Sequence, residues 1–201
     1  MRIPWQVREL DLFPSYSLYL GYFRDVQNAE FLRKQVLAKR LPIPPMTTCV
    51  LLDASCILDP VQVECAVTQA LLHVSSNTMI THELATEVVY CLSPTRSLNQ
   101  ALKTFSANRS TEHFLVVVII PVSTASSPAE PDTILAKLDS TIEGKPSHND
   151  LSPLLEGKER ILKLYGITSM ELDAANSSPL PHQTIVDSIL SRMSARELCR
   201  V

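Results

Sequence analysis

Glycine is scarce in this sequence, and its scarcity excludes whole classes of nucleotide-binding site. Only four glycines occur in 201 residues, at Gly21, Gly144, Gly157 and Gly166. A P-loop or a dinucleotide-binding turn needs several glycines within a few residues, because the backbone must approach the phosphates closely. We therefore do not expect this chain alone to hydrolyse nucleotides.

Long apolar runs and paired cysteines are also missing. No stretch approaches the roughly 20 apolar residues that a membrane-spanning helix requires. The N-terminal segment "MRIPWQVRELDLFP" lacks the continuous apolar core of a signal peptide. The five cysteines form no C-x-x-C pair. We expect an intracellular protein without membrane contact, with buried free thiols rather than disulfides or a metal site, and with Cys199 near the terminus as the exception.

An excess of positive charge is absent as well. The chain carries 18 Lys and Arg against 21 Asp and Glu, for a net charge of -3. Nucleic acid is therefore not attracted by the protein as a whole, and any RNA contact must come from a local patch. Protein partners are the simpler expectation. The hydrophobic content of 45% is ample for one globular domain over residues 1–201.

The catalytic motifs in the sequence are incomplete. The stretch "THELATEVVYCLSPT" begins like the zinc-protease motif H-E-x-x-H, but Thr86 stands where the second histidine is needed. The histidines are scattered, and no G-x-S-x-G elbow occurs. We expect no enzyme activity, no cofactor and no metal. A stand-alone hydrolase built on His82 and Glu83 is the competing hypothesis, which metal analysis would eliminate.

Strand and helix patterns predict a mixed α/β (α+β) fold. Residues 9–23 alternate apolar and polar side chains, which predicts a short strand, a turn and a longer strand. The run "FLVVVII" at 114–120 is apolar and β-branched throughout, so it predicts a strand buried on both faces. Asn28 and Asp59-Pro60 mark two helix starts, and Ser97 with Gln100 marks a third. We expect helices packed on a small mixed or antiparallel sheet.

The C-terminal part of the chain predicts flexible segments around an amphipathic helix. Residues 121–132 and 168–183 are rich in proline and polar residues, which indicates loops. The segment "TIVDSILSRMSAREL" places Ile185, Ile189 and Met193 on one side of a terminal helix. That stripe has two interpretations, because it can close the protein's own core or fill a partner's groove.

Several segments together resemble one known family. They are "LDLFP" with "FRDVQNAEFLRK", then "ILDPVQVECAVTQALLH", then "ELATEVVYCLSPTRSLNQALKTF", and finally "VDSILSRMSAREL". Their order and spacing resemble the kinase-binding subunit of the EKC/KEOPS complex, the family of the PRPK-binding protein. The signature T-E-x-x-x-x-L-S-P followed by an amphipathic helix is the most specific part of the resemblance. The predicted loops at 41–52 and 121–132 and the linker at 168–183 carry little of it.

The resemblance implies a non-catalytic subunit that binds and regulates the kinase-like ATPase subunit of that complex. The complex makes threonylcarbamoyl-adenosine in tRNAs that read codons beginning with adenine. Through the kinase-like subunit, this protein would be connected indirectly to the other KEOPS subunits. The alternative is a protein that binds the acceptor end of tRNA and recruits it. The resemblance also implies a location in nucleus and cytoplasm, with links to telomeric chromatin.

Candidate contact residues follow from the resemblance and from the apolar stripe. For the kinase partner they are Leu154, Tyr165, Ile185, Ile189 and Met193. For tRNA they are His82, Arg96 and Lys103. The family commonly has basic residues in the slots that here read Thr78 to His82, so direct tRNA binding is in doubt, since each lost phosphate contact weakens salt-dependent binding.

A further group of cations lies on the first predicted helix. Its members are Arg33, Lys34, Lys39 and Arg40. Such a group is either a solvated face or a patch for RNA or an acidic partner, and without interleaved aromatic residues we favour the solvated face.

Overall fold

The computed structural model describes residues 5–122, 131–147 and 155–198. Five strands form a single antiparallel sheet in which β1, β2, β4 and β3 are neighbours in that order, and β5 pairs with the end of β2. The strands are β1 (Gln6–Glu9), β2 (Tyr16–Arg24), β3 (Thr48–Asp53), β4 (Phe114–Pro121) and β5 (Lys145–Pro146). The antiparallel alternative of the predicted fold class is therefore confirmed.

Strand β4 is the central strand, as its composition predicts. Seven of its residues, Phe114–Ile120, are buried. Val116 pairs with Gly21 of β2 on one side and with Leu51 of β3 on the other. Because both faces of β4 are covered, both sets of alternating side chains must be apolar, which explains the uninterrupted apolar run.

Eight helices cover the two faces of the sheet in the described part of the chain. They are α1 (Ala29–Leu37), α2 (Pro60–Ser76), α3 (Leu84–Leu92), α4 (Leu98–Phe105), α5 (Pro131–Thr141), α6 (Leu155–Leu164), α7 (Ser169–Asn176) and α8 (Pro181–Leu198). None of these helices is both long enough and apolar enough to cross a membrane.

The helices divide into two layers, each with its own hydrophobic core. Residues of α2, α3, α4, α6 and α8 pack on one face of the sheet, together with Leu18, Leu52 and Val117 from the strands. Helices α1 and α5 pack on the other face, against side chains such as Phe114 and Val116. The sheet is thus sandwiched between a larger and a smaller helical layer.

The predicted helix starts are confirmed in two cases and differ in detail in the third. Asp59 caps α2 by accepting a hydrogen bond from the Val61 N–H, and Pro60 is the first helical residue. Ser97 likewise accepts from the Gln100 N–H. Asn28 precedes α1 but forms no side-chain cap. Its side chain instead donates to the Thr141 carbonyl and accepts from the Glu143 N–H, which fastens α1 to the end of α5.

The structure corrects two regions that the sequence predicted as loops. Residues 41–52 contain most of β3, which forms an edge of the sheet. The polar segment 168–183 contains α7, whose start is a capping box between Thr168 and Glu171. The predicted linker is therefore a helix followed by a short turn before α8, because local capping hydrogen bonds stabilise a helix of few apolar residues.

Candidate partner-binding surfaces

The apolar stripe of α8 faces inward. Ile185, Ile189 and Met193 are buried at 4%, 0% and 1% relative exposure, and Tyr165 is also buried. All four belong to the larger core. Leu154, the fifth predicted kinase contact, lies outside the described residues. The burial supports the interpretation that the stripe closes this protein's own core, so a partner would have to use the outer side of α8.

The end of α3, where the L-S-P signature lies, is fixed by two long side chains. The Tyr165 hydroxyl donates to the Leu92 carbonyl at 2.7 Å. Arg196 of α8 donates to the carbonyls of Tyr90 and Ser93, and its guanidinium lies over the Tyr90 ring. The last carbonyls of a helix have no partner within the helix. The signature therefore marks the point where α8 and the residue after α6 attach to α3.

A buried carboxylate organises the segment just before α3. Glu87 is fully buried, and it accepts hydrogen bonds from the Thr81 N–H and hydroxyl at 2.8 and 2.7 Å and from the Ile80 N–H at 3.3 Å. Its other contact is His73 Nδ1 at 2.6 Å. Burial raises the pKa of Glu87, but the hydrogen bonds from Thr81, His73 and Ile80 outweigh it and hold the pKa below its ordinary value. Sequence patterns alone do not assign this role to Glu87.

The same carboxylate belongs to the one group of metal-type ligands among the described residues. His73, Glu87 and Cys91 place one ligand atom each within 4.8 Å of one another. Two ligands of one tetrahedral zinc ion lie roughly 3.3 Å apart, because each is about 2 Å from the metal. The 2.6 Å between His73 and Glu87 is a hydrogen-bond distance. Hydrogen bonding accounts for the cluster without a metal.

His82 and Glu83, the start of the incomplete zinc-protease motif, do not join that cluster. Both are exposed. Glu83 pairs with Lys39 Nζ at 2.6 Å, which connects the start of α3 to the residues after α1. This geometry does not support the hydrolase hypothesis.

The cysteines follow their predicted pattern where they are described. Cys49, Cys56 and Cys91 are buried free thiols, and Cys65 is half-buried. Burial raises the pKa of Cys49 to about 12 and that of Cys56 to about 11, so these thiols are poor nucleophiles. Cys199 lies outside the described residues.

The three predicted tRNA contacts are all exposed. Lys103 is exposed on α4, and His82 is exposed before α3. Arg96 uses its Nε and Nη2 atoms to donate to the Arg196 carbonyl, which fastens the last turn of α8. Direct tRNA binding stays a prediction. Arg96 already has a hydrogen-bond partner within the protein.

A groove runs along the edge strand β3. It consists of two cavities of about 610 and 490 Å³ that share Val36, Cys49, Glu83 and Ala85 as lining residues. Helix α1 forms one wall, and α3 with α4 forms the other. Lys103 and Arg33 lie on opposite walls. The sequence showed these cations, but it could not show that they face each other across a sheet edge.

Glu171 connects α7 to Arg192 of α8. From this contact we predict how the stability of the protein changes at acid pH. Hydrogen bonds from the Thr168 N–H, from Arg192 and from the Thr168 hydroxyl lower the pKa of Glu171 from 4.5 to about 2. Because the folded pKa is depressed, the contact stabilises the protein above the unfolded pKa and is lost as pH falls toward 2. Glu171→Gln should reduce the free energy of unfolding at about pH 6 more than at about pH 3.

Urea unfolding of both proteins at the two pH values measures this difference. Asp173→Asn is the matched control, since Asp173 is an exposed acid of the same helix. An equal loss of stability at both pH values would show that the Glu171 carboxylate does not titrate with folding.

The fold and these surfaces define a mixed α/β protein with an antiparallel sheet between two helical layers. The chain belongs to the family described as "Kinase binding protein CGI-121", whose sequence pattern matches residues 23–197. That span runs from the end of β2 almost to the end of α8. The family resemblance seen in the sequence is confirmed.

Individual relatives agree with the family assignment. The chain is 26% identical over 193 residues to a protein of Danio rerio named EKC/KEOPS complex subunit TPRKB, covering 95% of this chain and 97% of the relative. It is 28% identical over 132 residues to the EKC/KEOPS complex subunit CGI121 of Gibberella zeae, covering 65% of each. The cgi121 subunit of Neurospora crassa is 27% identical over 148 residues, covering 69% of this chain and 70% of the relative.

Proposed function

We propose that this protein is a non-catalytic subunit of the EKC/KEOPS complex that binds and regulates the kinase-like ATPase subunit. In that role it supports threonylcarbamoyl-adenosine modification of tRNAs that read codons beginning with adenine. The observation that carries the proposal is the family match over residues 23–197, together with relatives named as subunits of that complex. The proposed location is nucleus and cytoplasm, including telomeric chromatin.

Several carboxylates of this protein form hydrogen bonds that stabilise its own fold, which supports a binding role rather than a catalytic one. Glu87 organises the turn before α3, and Asp59 caps α2. Asp53 accepts from the N–H and hydroxyl of Ser55. These carboxylates have structural hydrogen-bond partners, and the buried thiols have raised pKa values. The proposal accordingly places the chemistry in other subunits of the complex.

The outer faces of α2 and α8 are the proposed kinase-binding surface. Val61, Cys65 and Leu72 lie on one side of α2 by helical spacing, and Leu72 is 44% exposed. Helix α8 lies beside α2, because His182 Nε2 is 2.9 Å from Asp59 Oδ2. Exposed apolar patches rimmed by polar residues mark protein interaction sites. Here α2 supplies the exposed apolar side chains, and α8 supplies polar ones such as Asp187 and Ser191. This surface replaces the buried stripe of α8 as the expected contact.

Co-purification tests the proposal. The protein and the kinase-like ATPase subunit are co-expressed, and we expect them to elute together in size-exclusion chromatography. Leu72→Asp should abolish co-elution, because it places a charge in an apolar contact without touching the core. Phe31→Asp is the control, since Phe31 is an exposed apolar residue of α1, which packs on the opposite face of the sheet.

Two results would contradict the proposal at different levels. Separate elution of the unmodified proteins would contradict kinase binding itself. Co-elution of Leu72→Asp, with loss for Phe31→Asp, would keep the function but move the contact to the smaller helical layer.

A further inference from the structure

The backbone of β3 has hydrogen-bonding groups that face the groove. The Leu51 carbonyl accepts from the Ala107 N–H on the outer side of the strand at 2.9 Å. Backbone groups of alternate residues point to the same side of a strand, so Cys49 also presents its N–H and C=O outward. Outside the strand ladders of residues 5–122, 131–147 and 155–198, no backbone hydrogen bond involves these two groups of Cys49. Such groups require a partner or water.

The groove around this edge has the shape that an added strand needs. Its floor is the β3 segment Cys49–Leu51, and its two walls belong to opposite helical layers. Side chains of an added strand would therefore point alternately toward Val36 on one wall and toward Val89 on the other. Both walls are largely apolar, so apolar side chains can be buried on both sides.

The charges that line the groove indicate which kind of ligand it can bind. Arg33 and Lys103 lie on the two walls, and neither forms a salt bridge within the described residues. Glu30, whose pKa Arg33 helps to lower, is paired with Lys34 and Arg109. The carboxylate in the lining, Glu83, is already paired with Lys39. The groove therefore has unbalanced positive charge on both sides of an apolar floor, which complements an acidic ligand.

We infer that the groove binds an extended acidic segment of a partner protein, which adds to the sheet as a strand beside β3. Main-chain hydrogen bonds to Cys49 supply affinity, apolar side chains fill the two walls, and acidic side chains meet Arg33 and Lys103. The Glu83–Lys39 pair connects the two walls and must open, which costs little because both side chains are exposed. The inference is independent of the proposed kinase contact on α2 and α8.

A fluorescein-labelled peptide of alternating valine and threonine, flanked by aspartates, tests the inference by anisotropy. We expect binding to the full chain, and Arg33→Glu with Lys103→Glu should weaken it at least about tenfold. Glu83→Gln should strengthen it about twofold to threefold, because Lys39 becomes available. Lys137→Glu on α5 is the matched control and should leave binding unchanged. All of these positions are exposed, so the variants should fold.

N-methylation of the peptide separates strand addition from simple charge attraction. Methyl groups on the alternate amides that face β3 should abolish binding, and methyl groups on the other amides should not. Equal binding of the two methylated peptides, or no binding of the unmodified peptide, would overturn the inference. Binding of intact tRNA that depends on Lys103, without peptide binding, would also overturn it and assign the groove to RNA.

Discussion

Replacing Ile189 with aspartate should unfold this protein rather than only remove a partner contact. Ile189 has no exposed surface and lies in the larger core with Ile185 and Met193. An aspartate there puts a charge among apolar side chains, and it leaves a gap where the isoleucine packed. We expect a loss of about 4–5 kcal/mol or more in the free energy of unfolding.

Urea unfolding followed by circular dichroism measures this loss. Ser194→Asp is the control, because it adds the same charge to an exposed position of α8. A folded Ile189→Asp protein that fails to bind the kinase-like subunit would show that the stripe is an interface and that α8 moves on binding. Loss of binding together with loss of folding carries no information about the interface.

Replacing Glu87 with glutamine should cost about 2–4 kcal/mol of stability, although the side chain keeps its shape. The carboxylate accepts three hydrogen bonds from Ile80 and Thr81 and contacts His73. The amide group of glutamine turns a donor toward at least one of these donors. A buried donor without a partner is more costly than the hydrogen bond itself.

The loss should also depend on pH. The folded pKa of Glu87 is lowered, so its contribution is complete above the unfolded pKa near 4.5 and declines as pH falls through the folded pKa. The difference between the two proteins should therefore shrink in acid. Hydrogen exchange at Ile80 and Thr81 should accelerate in Glu87→Gln and not in Glu83→Gln, the exposed neighbour. Unchanged exchange would show that Glu87 does not hold this segment.

The elements that the sequence predicts best are those whose pattern has one physical explanation. The apolar run of β4 fits only a strand covered on both faces, and Asp59-Pro60 fits a helix start. Strand β3 has a similar composition, but it is short and follows a proline-rich segment, which is typical of a loop. Helix α7 is stabilised by capping rather than by an apolar stripe, so periodicity does not reveal it.

The candidate contacts were harder to predict because periodicity shows that a face is apolar and not what covers it. The stripe of α8 has the spacing of an interface helix and of a core helix alike. Only the packing of α2, α3 and α6 around it shows that it is covered by this protein itself. Glu87 and the groove depend on contacts between segments far apart in the sequence, which no local pattern encodes.

The order of strands in the sheet has a consequence for synthesis. Strands β2 and β3 do not pair with each other, because both pair with β4, which follows them in the chain after three helices. While the ribosome is still adding residues before 114, a nascent chain carries two apolar strands whose inner edges have no partner. Such edges promote aggregation. This protein should therefore depend on chaperones until β4 emerges and completes the sheet.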